Sequence, residues 1–222
     1  MGALASLALE AMLAILAPER CAACDAPVRM LAVFCPSCAP SATSAAREPG
    51  RPRAAFVYGG AVARAIARMK YESRPDLARP LGDLLWRALE PDAASLREAV
   101  VVPVPLHPTR LTERGFNQSA LLARRVAKYL RARFEPRALA RTRETQQQAA
   151  LDRAARARNV AGAFEARGAE AKIRGRVVLL VDDVLTTGAT LDACKQALAD
   201  AGAARVDGAV LAAAPQRVED LA

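Results

Sequence analysis

Val177-Val178-Leu179-Leu180-Val181-Asp182-Asp183-Val184-Leu185-Thr186-Thr187-Gly188-Ala189-Thr190 decides how the rest of this 222-residue chain is read. Five consecutive β-branched or leucine residues, with no polar alternation, are the pattern of a strand buried on both faces of a parallel sheet. The strand is expected to end at Asp182, and ligands of open parallel sheets bind beyond the carboxyl ends of the strands. Neighbouring strand residues point to opposite faces, so Asp182 and Asp183 reach one ligand only if the chain turns immediately after them. Thr186 to Thr190 is expected to supply that turn, with Gly188 at positive φ and the threonines capping a helix that begins near Ala189. Such a helix aims its free N–H groups, the positive end of its dipole and the hydroxyls at one point, which suits a phosphate. Carboxylates that accept from a vicinal diol, beside that cradle, describe a ribose 5-phosphate site. The competing account is an acidic turn with a threonine cap and no ligand. An NTPase strand end is disfavoured, because no G-x-x-x-x-G-K-[ST] occurs in the chain.

The length allows one sizeable α/β domain with a small appendage. A hydrophobic fraction of 53% and a charged fraction of 25% are ordinary for a soluble globular protein. Lys and Arg number 32 against 23 Asp and Glu, a formal +9. Twelve basic and five acidic residues fall between Arg131 and Arg176, so +7 of charge is concentrated there. That favours an anionic partner, a phosphorylated small molecule or nucleic acid, although arginine-rich solvated helices give the same count. The apolar run Met1 to Pro18 lacks basic residues ahead of it and is interrupted by Glu10, so it is not patterned as a secretory signal. It is also short for a stable membrane span. It is expected to be a helix packed on a neighbour in a cytoplasmic chain with reduced thiols.

Cys21-Ala22-Ala23-Cys24 and Cys35-Pro36-Ser37-Cys38 are two C-x-x-C knuckles. Each sets two thiolates on a tight turn, and the pair closes a four-sulfur site suited to structural zinc. Residues 1–38 are accordingly assigned to an N-terminal helix and four-cysteine zinc module, 39–55 to a linker, and 56–222 to the main domain. The linker is expected to separate the two cores, so that losing a thiolate unfolds only the module.

Phe56 to Tyr58 is expected to form a short strand, and Ala61 to Tyr71 and Pro75 to Leu89 two helices. Tyr71 and Lys70 are candidate surface contacts, although an aromatic such as Tyr71 at a helix end is expected to pack. Ala99 to Leu106 reads as a second buried strand stopped by prolines. His107, Arg110, Arg114 and Gly115 follow it, then a helix to about Ala132. Arg141 to Gln148, with Leu151, Arg156 and Asn159, is either a weakly packed lid or a solvated basic helix. Leu191 to Ala201 is the helix after the opening stretch, Gly202 its stop, and Ala204 to Ala213 a further strand. Cys194 is expected to be a small buried residue.

Four apolar residues, two acids, an apolar residue and x-T-G-x-T resemble the phosphoribosyl pyrophosphate (PRPP) signature of the phosphoribosyltransferase fold. A longer series resembles the ComF competence family across nearly the whole chain. It comprises the apolar leader and paired C-x-x-C knuckles, V-P-V-P-L-H-P-x-R-L-x-x-R-G-F-N-Q, R-x-R-x-T-x-x-Q-x-x-L with R-x-x-N and G-A-F, and V-D-D-V-x-T-T-G-A-T. The resemblance implies a mostly parallel α/β sheet flanked by helices, preceded by a zinc module, in a protein associated with handling imported DNA.

It further implies that PRPP sets its 5-phosphate on Thr186, Thr187, Gly188, Ala189 and Thr190, its ribose hydroxyls on Asp182 and Asp183, and its pyrophosphate with Mg²⁺ near Arg110 and Arg114. Loss of pyrophosphate leaves an oxocarbenium-like centre, which positioning and charge suffice to stabilise. Three functions stay open: a transferase acting on a nucleobase-like acceptor in nucleotide salvage, an accessory that binds single-stranded DNA or a competence helicase, and a regulator that senses PRPP without turnover. A homodimer is compatible with each.

Overall fold

The computed structural model describes residues 20–29, 31–143, 162–168 and 170–215. The apolar leader, and Glu144 to Gln148, Leu151, Arg156 and Asn159 of the expected lid, lie outside the described residues, as does Arg158. The strands are β1 (Arg53–Val57), β2 (Val100–Pro103), β3 (Arg133–Phe134), β4 (Leu139–Arg141), β5 (Phe164–Ala166), β6 (Val177–Leu185) and β7 (Arg205–Ala213). The helices are α1 (Gly60–Tyr71), α2 (Ala78–Leu89), α3 (Ala93–Leu96), α4 (Pro108–Arg114), α5 (Gln118–Leu130), α6 (Glu170–Ile173) and α7 (Ala189–Asp200). Five strands form one sheet in the order β1-β7-β6-β2-β3, with every neighbour parallel. β4 and β5 form a separate antiparallel pair.

Both faces of the sheet are covered, which is why β2 and β6 are uninterrupted apolar runs. Leu179 and Val181 of β6 lie in the core with Ile66 and Met69 of α1, Leu85 of α2 and Leu122 of α5. Val178 and Leu180 lie in a second core with Leu191, Cys194 and Leu198 of α7 and Phe164 of β5. Cys194 is fully buried, as expected.

The order places a switch point between the two central strands, since β2 leads outward to β3 while β6 leads the other way to β7. A crevice opens at the carboxyl ends of strands where their connections diverge in this way. Its floor is set by unequal strand lengths. β2 stops at Pro103, paired with Val181, whereas β6 stays paired with β7 through Leu185 and Ala213. The expected strand end at Asp182 is therefore corrected. β7 holds β6 extended for three residues more, and Asp182 is instead the first residue beyond the reach of β2.

Other boundaries shift for local reasons. β1 begins at Arg53, ahead of the expected Phe56, because Ala209 to Ala213 of β7 offers it a parallel edge. The single helix expected after β2 is two, α4 and α5, divided at Gly115, which takes φ +78. Asn117 then starts α5 by accepting from the N–H groups of Ser119 and Ala120.

The cysteine segment packs directly on the main sheet domain. Ala22 belongs to the core containing α1, α2 and α5, and Ala61 of α1 belongs to the cluster containing Cys21, Cys35 and Cys38. Ser41 Oγ accepts from the N–H of Ala61 at 3.0 Å. A side chain on Gly60 would run into the Ser41 carbonyl oxygen, so only glycine allows this approach. The two cores are thus not separated by the stretch between them. Within that stretch, Ala45 and Val57 donate backbone hydrogen bonds to Ala55 and Thr43, laying the chain alongside β1.

Candidate functional site

Asp182, Val184, Leu185, Thr186, Gly188, Ala189, Thr190 and Leu191 line a small hollow of about 30 Å³ that opens to solvent at the carboxyl end of β6. Gly188 sits at φ +88 and ends the extended run, and α7 begins at Ala189, as the x-T-G-x-T spacing predicts. The expected threonine cap is corrected: Gly188 itself occupies the N-cap position, and no side chain there bonds to the helix start. The Thr187 hydroxyl is instead buried with no hydrogen-bond partner. A buried donor left without a partner is costly, and an anion at the helix start would satisfy it.

The acids do not turn together as expected, because β6 continues past them. Asp182 Oδ1 accepts from Ser119 Oγ at 2.7 Å and from the N–H of Asp183 at 2.9 Å. Asp183 is buried and pairs with Lys70 of α1, Nζ to Oδ2 at 2.5 Å. Burial pushes the Asp182 carboxyl up to about 7, with the Asp183 charge adding to the rise, while Ser119, the Asp183 N–H and Lys70 oppose it. Burial disfavours the Lys70 charge, but Asp183 and then Asp182 outweigh it, so the ammonium is held above its ordinary value. Burial, with Asp182 nearby, also raises the Cys194 thiol well above its usual range and keeps it unreactive.

Of the two arginines after β2, Arg114 lies over the Tyr71 ring, 5.7 Å from its centroid, and its charge opposes that of Lys70. Arg110 pairs with Glu113 on its own helix at 2.9 Å and is substantially exposed. His107 contacts Thr109 Oγ1 through Nδ1 at 3.2 Å, a local bond at the start of α4. Tyr71, the aromatic expected to pack at the helix end, is instead 78% exposed, and Lys70, a candidate surface contact, is turned inward to Asp183. Its proximity to Asp183 depends on α1 crossing the sheet, which no local spacing reveals.

The four thiols of Cys21, Cys24, Cys35 and Cys38 lie within 4.8 Å of one another, with Cys24 and Cys35 sulfurs 3.6 Å apart. Zinc–sulfur bonds of about 2.3 Å in a tetrahedron put sulfurs roughly 3.8 Å apart, so this donor set can hold a zinc ion. Burial pushes the Cys21 thiol up, yet backbone N–H groups of Cys35, Ala23 and Cys24 draw it down to about 6. At Cys24 the Ala26 N–H is outweighed by the Cys21, Cys35 and Cys38 sulfurs, which push it up, so in the absence of a metal the thiols share their protons unequally. Arg64 of α1 points Nη2 at Cys38 Sγ, 3.5 Å away, and Arg68 Nη1 donates to the carbonyls of Cys21 and Ala22.

No helix among the described residues is long and apolar enough to cross a membrane. The phosphoribosyl transferase domain family matches residues 117–221, which span the Asp182 to Thr190 hollow. The chain is 32% identical over 200 residues to the DNA utilization protein YhgH of Escherichia coli K12, covering 84% of this chain and 86% of that one. It is 31% identical to Competence protein F of Haemophilus influenzae, covering 62% and 61%, and 30% identical to Competence protein ComFC of Streptococcus pneumoniae, covering 68% and 63%. Taken with the parallel sheet and the clustered cysteines, these relationships make the chain a member of the ComF family, a phosphoribosyltransferase-type domain joined to a four-cysteine module.

Proposed function

We propose that this protein binds PRPP, or another ribose 5-phosphate compound, and serves in the cytoplasmic handling of DNA taken up during natural competence. The carrying observation is the buried, unpartnered Thr187 hydroxyl at the start of α7, beside a hollow whose rim includes Asp182. In this reading the 5-phosphate rests on Thr186, Thr187, Gly188, Ala189 and Thr190. Asp182 accepts from the ribose hydroxyls, Asp183 joins it only when the end of β6 rearranges to release it from Lys70, and Arg110 and Arg114 face the diphosphate.

The Cys21, Cys24, Cys35 and Cys38 thiolates would hold zinc, whose part is structural. Mg²⁺ binds mostly through substrate phosphates with one or two carboxylates. Asp183 is engaged with Lys70, so Asp182 is the carboxylate that such a cation would meet first. When bound, Mg²⁺ would neutralise the diphosphate and ease its departure. The residues themselves orient the ribose and surround the reacting carbon with fixed charge, which is the larger share of catalysis in a transfer of this kind.

Calorimetry with PRPP and Mg²⁺ tests the reading, and no binding up to about millimolar ligand would overturn it. Consumption of PRPP with a nucleobase present would place a Mg²⁺-dependent transferase first, and binding without turnover would favour a sensor.

The relatives' names favour a second activity on DNA. Binding to single-stranded DNA whose affinity falls steeply with salt, through Arg141, Arg143, Arg156 and Arg158, is its expected signature. A salt slope unchanged after their replacement by Ala removes that face. A competence helicase and a second copy of the chain are the protein partners to be sought by co-purification.

A further inference from the structure

α2 and α5 lie side by side over the first core, and they meet so closely at Gly82 that a side chain there would stand 2.8 Å from Arg125 Cβ and Cγ. One turn further along, the same approach brings Trp86 and Tyr129 together, their rings stacked 5.3 Å apart with 5° between the planes. The Arg125 guanidinium lies over Tyr129, 4.9 Å from its centroid. Asp83 fixes both partners, because it accepts from Arg125 through each oxygen and from the Tyr129 hydroxyl at 3.0 Å. Two rings and a guanidinium plane are thus held in one arrangement, with Tyr129 41% exposed at the surface.

The surroundings of this pair are cationic. Arg124, Lys128 and Arg131 follow one another at intervals of four and three residues along α5 and its end, which puts them on one stripe beside Tyr129. Helical rise sets such charges about 5–6 Å apart along the axis, on the scale of successive phosphates in an extended strand. All three are exposed, as is Arg87 next to Trp86, and among the described residues none of the four pairs with a carboxylate. A solvated basic face needs no ring pair, and a packing contact needs no free cations. Together they are what a single strand of nucleic acid takes, aromatic faces for its bases and cations along its backbone.

We propose that this face of α2 and α5 is a platform for single-stranded DNA, with bases against Trp86 and Tyr129 and phosphates on Arg124, Lys128 and Arg131. It rests on the DNA reading given above but puts the strand on a different surface. Arg141 lies over the Phe164 ring, 5.5 Å from its centroid, and Phe164 belongs to the second core, across the sheet from α2 and α5. The platform is remote from the crevice as well. Ser119 meets Asp182 in the first turn of α5, and Tyr129 lies near the last turn, about 15 Å along the helix. A strand can therefore sit on the platform while the crevice is filled.

Trp86 is the only tryptophan of the chain, so its fluorescence reports on the platform directly. The full chain is titrated with oligothymidylate of about 16 nucleotides, with the same strand paired to oligoadenylate, and with polyglutamate of matching length. Oligothymidylate should quench Trp86 and bind about tenfold more tightly than the other two, since only it offers unstacked bases. Tyr129→Leu should weaken that binding by about tenfold, and Tyr129→Phe, which keeps the ring, by less than about threefold. Arg124, Lys128 and Arg131 are exposed, so their joint replacement by Gln leaves the fold intact. It should flatten the dependence of log affinity on log salt by about 2, as a single strand contributes roughly 0.7 for each phosphate contact.

Binding that leaves Trp86 emission unchanged, or a salt slope that falls with Arg141 and Arg143 and not with the α5 cations, overturns the platform and spares the DNA reading. Equal quenching by polyglutamate makes the face a dock for an acidic protein and overturns the platform too. Failure of the unsubstituted chain to bind oligothymidylate at all overturns the DNA reading itself, and the platform with it.

Discussion

Ser119 donates its hydroxyl to Asp182 Oδ1 at 2.7 Å, joining the first turn of α5 to the middle of β6 across 63 positions of sequence. The bond ties α5 to β6 at the first residue beyond the reach of β2, and it favours the ionised form of an acid that burial pushes the other way.

Ligand affinity should consequently depend on pH. Asp182 titrates near 7 when folded and near 3.8 in an unperturbed chain. Only the carboxylate is a full acceptor for the ribose diol, so ribose 5-phosphate affinity should climb with pH through about 7 and then level. Stability should move oppositely. Between the two values the folded chain holds a proton that the unfolded chain releases, so this contribution is whole below the unfolded value and lost as pH rises through the folded one. Ser119→Ala should push the affinity midpoint higher still. Calorimetry across this range, with parallel denaturant unfolding, reads both trends, and a flat affinity profile removes Asp182 from the diol.

The cysteine module should not unfold alone. Ala22 is part of the main core, and Arg64 and Arg68 tie α1 to the two knuckles. Metal removal by a chelator, or Cys38→Ser, is expected to lower the melting temperature of the whole chain in a single transition. Two separated transitions, with the upper one unmoved, would show that the main domain is indifferent to the module.

Gly60→Ala tests the same interface without touching a thiol. The new methyl group would stand 2.7 Å from Ser41 Cβ and closer still to the Ser41 carbonyl oxygen, at a φ of +50 that side chains rarely adopt. Relief requires the module to shift away from α1, at about 1–3 kcal/mol for overpacking, or a fall in Tm of several degrees for a chain of roughly this size. An unchanged Tm would mean that the contact is loose.

What was legible in the sequence was whatever local physics controls. The apolar run ending in two acids located β6, Gly188 located the turn, and paired C-x-x-C spacing located the thiol cluster, because each depends on residues close in the chain. The length of β6 past Asp182 was not legible. It is decided by β7, which holds Val184 and Leu185 in register with Ala212 and Ala213. Lys70 was illegible for the same reason, since its place beside Asp183 follows from α1 packing over the sheet. The docking of the cysteine module was hidden in residues as plain as Ala22, Ser41 and Gly60, whose meaning is a close approach between segments.

Thr187 allows binding and stability to be separated in one substitution. Its hydroxyl is buried beside the start of α7 and meets no partner, and an unsatisfied buried hydroxyl costs about 1–3 kcal/mol. Thr187→Val keeps the β-branched shape that β6 and its turn accept while removing that hydroxyl. The free protein should therefore be as stable as before or more stable by about 1 kcal/mol. Affinity for ribose 5-phosphate and for PRPP should fall together, by about tenfold, because both present the same 5-phosphate to the loop. Denaturant unfolding and calorimetry on the same preparation check the two halves. Stability gained with affinity retained would mean that the hydroxyl faces no phosphate, and the 5-phosphate would then have to be held by Thr186, Thr190 and the backbone N–H groups of α7 alone.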